Sequence, residues 1–403
     1  MKIGVITYSL FSHGGVQRVT STVFNELSEE HDIEFIYVGK LPYNKGLLYD
    51  LNEEKIRIER HPFKMNIVQK FIKRIYNQIN DYTGIFNNVC LSGILSKVLY
   101  PKSLRYDLID YLNSKNYDIV IAIEGDITMA IGTISEKIRA KTIGWQHNSY
   151  NAYYYTKRRY YWNKEYLAKK LFSKLDSIIV LTEEDKIAYK NKMGIECIKM
   201  KNPLSFKSEK KSLCNNKNIL CVSRIDIQQK GLDLLVEAFK RISDYNDEYK
   251  LTIVGDGPDK EKLYNIINDY NMNDKIILKP FSDNIEEEYL NASLFVSSSR
   301  WEGFGVVIIE AMECGLPIIA YRNSGPKEII RDGIDGILVE NENINKLAEA
   351  MNELINNEEK RLNMSKNSIL RAKEFSKEDV AIKWNDLIKK NLSKVDKVWN
   401  LKI

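Results

Sequence analysis

The 403-residue chain contains no run of about 18 apolar residues, so no segment qualifies as a membrane-spanning helix. Residues 1–10 lack a charged region followed by a long apolar run, and are expected to form a strand rather than a signal peptide. Cysteine is sparse. Cys90, Cys197, Cys214, Cys221 and Cys314 are scattered and include no C-x-x-C pair. That pattern indicates neither a zinc site nor a disulfide framework, and a reducing cytoplasm fits best. The turn after the first strand is not G-x-G-x-x-G, so the dinucleotide fingerprint of dehydrogenases is missing there. No D-x-D triplet of the metal-dependent kind stands at a strand end, so no essential metal and no cofactor is expected. A basic tail and nucleic-acid motifs are absent too, and nucleic acid is not an expected partner.

What is present suits two domains of roughly 200 residues each. The net charge of +5 is unevenly placed. Residues 1–205 hold 30 Lys and Arg against 22 Asp and Glu, and the remainder holds 30 against 33. A basic N-terminal half suggests an anionic partner, either a phosphate group or an anionic membrane surface.

In the C-terminal half, apolar β-branched runs at 218–223, 250–254, 275–278, 294–297, 317–320 and 336–339 alternate with helical patterns at 231–243, 260–270 and 306–313. Strand–helix alternation with almost continuous apolar strands predicts a parallel sheet covered on both faces. The N-terminal half begins the same way, with strands expected at 2–8, 33–38, 118–123 and 177–181 and a helix at 16–28. Residues 62–115 read as less regular and more helical. The polar stretch 202–217, carrying Pro203, reads as an interdomain linker. The expected architecture is α/β, with two Rossmann-like doubly wound domains, 1–202 and 203–375, facing across a cleft. Such sheets bind ligands beyond the C-terminal ends of their strands.

Three patterns carry chemistry. Gly14-Gly15 stands between the first strand and the first helix, and fits either a tight turn or a place where backbone N–H groups approach an anion. Arg224 and Lys230 follow the strand at 218–223 and precede a helix. A diphosphate is well met by a guanidinium fork and an ammonium point charge, though two cations can also sit on a solvated loop. Glu302 and Glu310 are eight residues apart, about 12 Å along a helix if the whole span is helical. That is too far for a retaining glycosidase pair, but suits the two ends of an elongated ligand; plain capping or surface glutamates are the alternative.

These patterns resemble the family 4 glycosyltransferases of the GT-B fold. The matching pieces include Ser223-Arg224, Gln229-Lys230-Gly231, Val254-Gly255-Asp256-Gly257-Pro258, Ser299-Arg300-Trp301-Glu302-Gly303-Phe304-Gly305, Glu310-Ala311-Met312 and Gly315-Leu316-Pro317. The N-terminal half adds Gly14-Gly15-Val16-Gln17-Arg18, Trp145-Gln146-His147-Asn148 and Asn202-Pro203. The resemblance spans both domains and is weakest over residues 40–115. It implies that Glu302 meets hydroxyls of a donor sugar, that Glu310 holds the nucleotide's ribose, and that Arg224 and Lys230 bind the diphosphate. Gly14 and Gly15 would contact the same diphosphate, and the stretch Gly303, Phe304, Gly305 and Val306 would complete the cradle with backbone amides. His147 matches a histidine near the reacting sugar, with a structural hydrogen-bonder as the alternative. Glu124 and Asp126, after the strand at 118–123, and Asn148 are candidates for the acceptor's hydroxyls; Asp126 could instead cap a helix. The last helix, 376–392 with Trp384, would pack back on the N-terminal domain.

The activity so implied is transfer, with retention of configuration, of a hexosyl or N-acetylhexosaminyl group from a nucleotide-sugar donor, UDP favoured from family usage. The acceptor would be a glycan or lipid-linked glycan, in cell-envelope polysaccharide synthesis. A GT-B nucleotide-sugar epimerase, or a silent partner of another transferase, is the alternative. Two further segments bear on location. Phe63, Ile67, Val68, Phe71, Ile72, Ile75 and Ile79 recur at helical spacing among Lys64, Lys70, Lys73 and Arg74, and residues 153–162 mix Tyr and Trp with Lys157, Arg158 and Arg159. They fit either peripheral docking on the inner face of the cell membrane, or a core helix plus a basic acceptor pocket.

Overall fold

A computed structural model of the chain describes residues 1–8, 10–11, 14–39, 49–282 and 284–393. The chain divides into two compact units, Met1–Lys201 with Lys377–Ile403, and Asn202–Ser376. Each is a parallel sheet covered by helices.

The first unit contains β1 (Lys2–Thr7), β2 (Asp32–Tyr37), β3 (Ile56–Arg60), β4 (Ile119–Ile123), β5 (Lys141–Trp145), β6 (Ser177–Val180) and β7 (Ile198–Lys199), in the order β3-β2-β1-β4-β5-β6-β7. The central strands are buried on both faces, which is why β1 and β4 read as unbroken apolar runs. The helix Lys377–Ser393 belongs to this unit and packs on the helix Gly15–Leu27. Its Trp384 is fully buried, 4.7 Å from the Trp145 ring and 6.1 Å from Phe24. Polar contacts fix its register: His31 to Asn385 at 2.7 Å, Lys377 to Glu26 at 2.6 Å and Ser177 to Asn391 at 3.0 Å.

The second unit contains β8 (Asn218–Val222), β9 (Lys250–Val254), β10 (Ile276–Lys279), β11 (Leu294–Ser297), β12 (Ile318–Tyr321) and β13 (Gly336–Val339), in the order β10-β9-β8-β11-β12-β13. The order reverses between β8 and β11 here, and between β1 and β4 in the first unit. Loops diverge at such a point and leave a crevice at the strands' carboxyl ends.

The stretch 202–217 is not a free linker. It is laced into the second unit: Leu204 N–H donates to Phe375 O at 2.7 Å, Lys211 Nζ lies 2.7 Å from Glu313, and Arg361 Nε donates to Cys214 O at 3.0 Å. Ser205, Ser208, Lys211 and Ser212 have specific partners, while Lys207, Glu209, Lys210, Asn215 and Asn216 are exposed. Residues 62–115 form three helices, Ile67–Thr83, Ser92–Leu99 and Lys102–Lys115.

Candidate active site

In the second unit the site is assembled at the β8/β11 reversal. The loop after β8 carries Arg224 and leads to a short helical turn, Ile227–Lys230, capped by the Asp226 side chain. Arg224 is exposed, and its guanidinium has no ion pair or hydrogen bond among the described residues. Lys230 Nζ lies 2.5 Å from Glu302 Oε2, with both side chains largely buried at 15% and 16% exposure. Gly231 makes this approach possible. Its φ is +58°, and a Cβ there would stand 2.2 Å from Ser298 O at the end of β11.

Glu302 and Glu310 do not share a helix. The helix is Val306–Glu313, and Gly305, with φ +100°, turns the chain into it. Glu302 therefore sits in the preceding loop, and the 12 Å helical separation does not apply. The loop is held by Ser299 Oγ to Glu302 at 3.3 Å, by Asn323 Nδ2 to Ser299 O at 2.8 Å, and by Gly325 N–H to Glu302 O at 3.3 Å. Gly303 and Gly305 are buried, and Phe304 places its ring in the core, 5.9 Å from Phe375. Phe304 can thus offer a ligand only its backbone. The first amides of a helix lack intrahelical acceptors, so the Val306 end is suited to an anion. Glu310 is fully buried and accepts from Ser205 Oγ at 2.6 Å and Tyr289 OH at 3.0 Å.

In the first unit the corresponding edge brings Gly14, Gly15, Glu124 and Asp126 to the β1/β4 reversal. Gly14 N–H donates to Tyr49 OH at 2.9 Å, and Gly15 opens the 13-residue helix with nothing within 4 Å of where a Cβ would be. Glu124 has φ +69°, a strained value for a residue with a side chain. Its carboxyl has no hydrogen-bond partner among the described residues; burial, then the Asp126 charge, pushes it up to about 7. Asp126 is less available than its position suggests. It neither caps the helix Gly125–Gly132 nor stands free, because its carboxylate accepts from Tyr8 OH and from Tyr100 OH, the latter at 2.6 Å. His147 follows β5, and its Nε2 is buried without a partner among the described residues. Burial lowers the ring to about 3, so it is neutral at physiological pH. Its ring lies 4.3 Å from Trp145. Asn148 uses its Oδ1 on Ser149 N–H at 2.9 Å, as part of the turn into the next helix.

Residues 205–371 match the family model for glycosyl transferases group 1. An uncharacterised glycosyltransferase of Haemophilus influenzae is 28% identical over 96% of this chain and 99% of that one. An N-acetylgalactosamine-N,N'-diacetylbacillosaminyl-diphospho-undecaprenol 4-alpha-N-acetylgalactosaminyltransferase of Campylobacter jejuni is 25% identical over 94% of this chain and 97% of that one. Among solved structures, HepE of Anabaena in complex with UDP superposes with a TM-score of 0.75 at 16% identity, covering 97% of this chain and 100% of that one; this likeness shows the fold, GT-B. Together these similarities support a GT-B glycosyltransferase.

Two supports of this site have no local signature in the sequence. Ser205 and Tyr289 brace Glu310 from 105 and 21 residues away, beyond any local pattern. Arg300 was legible only as part of a motif. Its guanidinium forms a fork on Asp233, at 2.7 and 3.0 Å, and reaches Glu342 at 2.8 Å and Ile227 O at 2.9 Å. It thereby fastens the Glu302 loop to the Lys230 turn.

Proposed function

We propose that the chain transfers a sugar, with retention of configuration, from a nucleotide-diphosphate donor to a hydroxyl of a glycan or lipid-linked glycan in cell-envelope polysaccharide synthesis. The observation that carries this reading is the pairing, on one strand edge, of an exposed guanidinium without a partner among the described residues, Arg224, with the buried Lys230–Glu302 pair and an open helix N-terminus. As the sugar–phosphate bond breaks, negative charge grows on the diphosphate and positive charge on the ring. Lys230, held by Glu302, and the amides at Gly305 and Val306 are fixed donors for the first charge and need no reorganisation when it develops, and the exposed Arg224 adds a guanidinium beside them. Glu302 faces the sugar, and Glu310, through Ser205 and Tyr289, orders the nucleoside end. The leaving phosphate oxygen can take the acceptor's proton on the same face, so no protein nucleophile and no metal enters the reaction.

In the first unit, Gly14 and Gly15 present a helix N-terminus to a substrate phosphate. Glu124 and His147 are placed for hydroxyls, while Asp126 and Asn148 act by holding their surroundings. A lipid-linked acceptor is favoured because the Campylobacter relative, similar over nearly its whole length, is named for a diphospho-undecaprenol substrate. UDP is favoured as the carrier because the Anabaena neighbour is a UDP complex. The test is a thermal-shift panel of UDP-, GDP- and ADP-sugars, since a ligand that binds the folded state raises its apparent stability. A rise with one nucleotide class, lost in Arg224→Ala, is expected; no rise with any of them would overturn the reading.

A further inference from the structure

The helix Ile67–Thr83 is built the wrong way round for a soluble protein. Its apolar residues recur at helical spacing, which ordinarily marks a core-facing stripe. Here they face outward: Ile67 is 85% exposed, Phe71 62% and Tyr82 69%, with Val68, Ile75 and Ile79 exposed beside them. The residue this helix buries is polar, Asn80. Tyr76 packs inward on the core, stacked on Phe86 at 5.2 Å, and the rest of the helix is attached by polar contacts. Asn66 and Gln69 form a capping box, Gln69 Nε2 reaches Ser103 at 3.1 Å, and Asn80 and Asn163 exchange hydrogen bonds at 2.7 and 2.9 Å. Phe63 does pack inward, and so do Tyr153 and Tyr154, so the surface is narrower than the sequence pattern suggested.

The charge around this stripe is mainly positive. Residues 62–107 hold seven Lys and Arg against two carboxylates, Asp81, paired with Lys164 at 3.5 Å, and Asp107, paired with Lys64 at 2.5 Å. The second basic and aromatic segment, some 80 residues later in sequence, lies against the same helix. Arg158 covers the Tyr82 ring at 4.1 Å, and Trp162 Nε1 donates to Asp81 O at 3.1 Å. Large exposed apolar surface is costly unless something covers it.

We infer that this helix, with the adjoining Arg158 segment, is a docking surface for an anionic lipid bilayer. An apolar stripe rimmed by cations is the pattern of a helix lying in the membrane interface, with its side chains in the acyl boundary and its cations at the headgroups. A second copy of this chain fits poorly, because it would bring the same cations face to face. The inference goes beyond the transfer reaction and needs neither donor nor turnover, so either can fail alone. It also gives a lipid-linked acceptor a reason to meet this unit.

The experiment is co-sedimentation of the full chain with vesicles of phosphatidylcholine alone, or with a third of phosphatidylglycerol. Binding is expected only to the second, weakening with salt. Lys70→Ser and Arg74→Ser should each lower partition about fivefold, and Phe71→Ser and Ile75→Ser each about tenfold, with thermal unfolding unchanged. Four results would overturn the proposal: no vesicle binding, equal binding to both vesicles, binding untouched by Phe71→Ser with Ile75→Ser, or binding seen only when the chain ends at Ser393, which would mean that residues 394–403 occupy the stripe. Concentration-dependent self-association abolished by Phe71→Ser, without vesicle binding, would reassign the surface to a second copy.

Discussion

Removing Lys230 separates two jobs of one ion pair. In Lys230→Ala, the Glu302 carboxylate keeps one hydrogen bond among the described residues, from Ser299 Oγ at 3.3 Å, and remains largely buried. Breaking a buried pair from one side costs about 3 kcal/mol, because a charge is left without its partner. For a unit of this size, about 3 kcal/mol lowers the unfolding midpoint by roughly 6–12 °C. Lys230→Met with Glu302→Gln removes both charges and should recover most of that loss. Activity should not recover with it. A cation aimed at the departing diphosphate contributes about 3–4 kcal/mol to the barrier, so turnover in both variants should fall by two to three orders of magnitude. Differential scanning fluorimetry and initial rates, assayed well below the lowest midpoint, give the two readouts. A Lys230→Ala protein that is less stable yet turns over at the wild-type rate would refute the reasoning, since the lysine would then serve only the fold.

Other outcomes follow from the same geometry. Gly15→Val puts a side chain into open space at the helix start, so unfolding should be unchanged while transfer falls at least tenfold; equal loss of both would point to a structural glycine. Glu124, lifted from 4.5 to about 7, holds a proton in the folded chain that the unfolded chain has released. Its contribution to stability therefore falls as pH rises from about 4.5 through 7, by on the order of 3 kcal/mol, and urea titrations across that range should flatten in Glu124→Gln. Trp384→Ala removes the buried indole between Trp145 and Phe24 and should cost about 3–5 kcal/mol by denaturant melts. Chelators should leave turnover unchanged; loss restored by a divalent cation would contradict a metal-free reaction.

The buried strands were legible because burial on both faces writes them as apolar runs. The ranges expected for β9, β11 and β13 coincide with those found, β10 and β12 shift by one residue, and β8 ends one residue earlier. β3 was not legible. It is an edge strand, Ile-Arg-Ile-Glu-Arg, whose Arg57 pairs with Asp32 on its neighbour at 2.8 Å, so its charges look like a loop's. β7 is two residues long and leaves no period to read. The helix Ile67–Thr83 had a readable period but no readable direction: spacing gives a stripe, and only tertiary structure says which way it points. The motif residues of the second unit were found because a strand-end loop concentrates them in sequence. Ser205, Tyr289 and the Tyr8 and Tyr100 hydroxyls on Asp126 were not, since they arrive from distant elements.

The central claim, transfer from a nucleotide-sugar, is tested most directly by incubating the chain with a donor labelled in the sugar and tracing the label with and without a lipid-linked glycan acceptor. The account predicts that label moves to the acceptor hydroxyl with the donor's anomeric configuration, and that Arg224→Ala and Lys230→Ala each slow the movement by two to three orders of magnitude. Donor converted to another nucleotide-sugar without acceptor, an inverted product, or transfer unaffected by Arg224→Ala would contradict it.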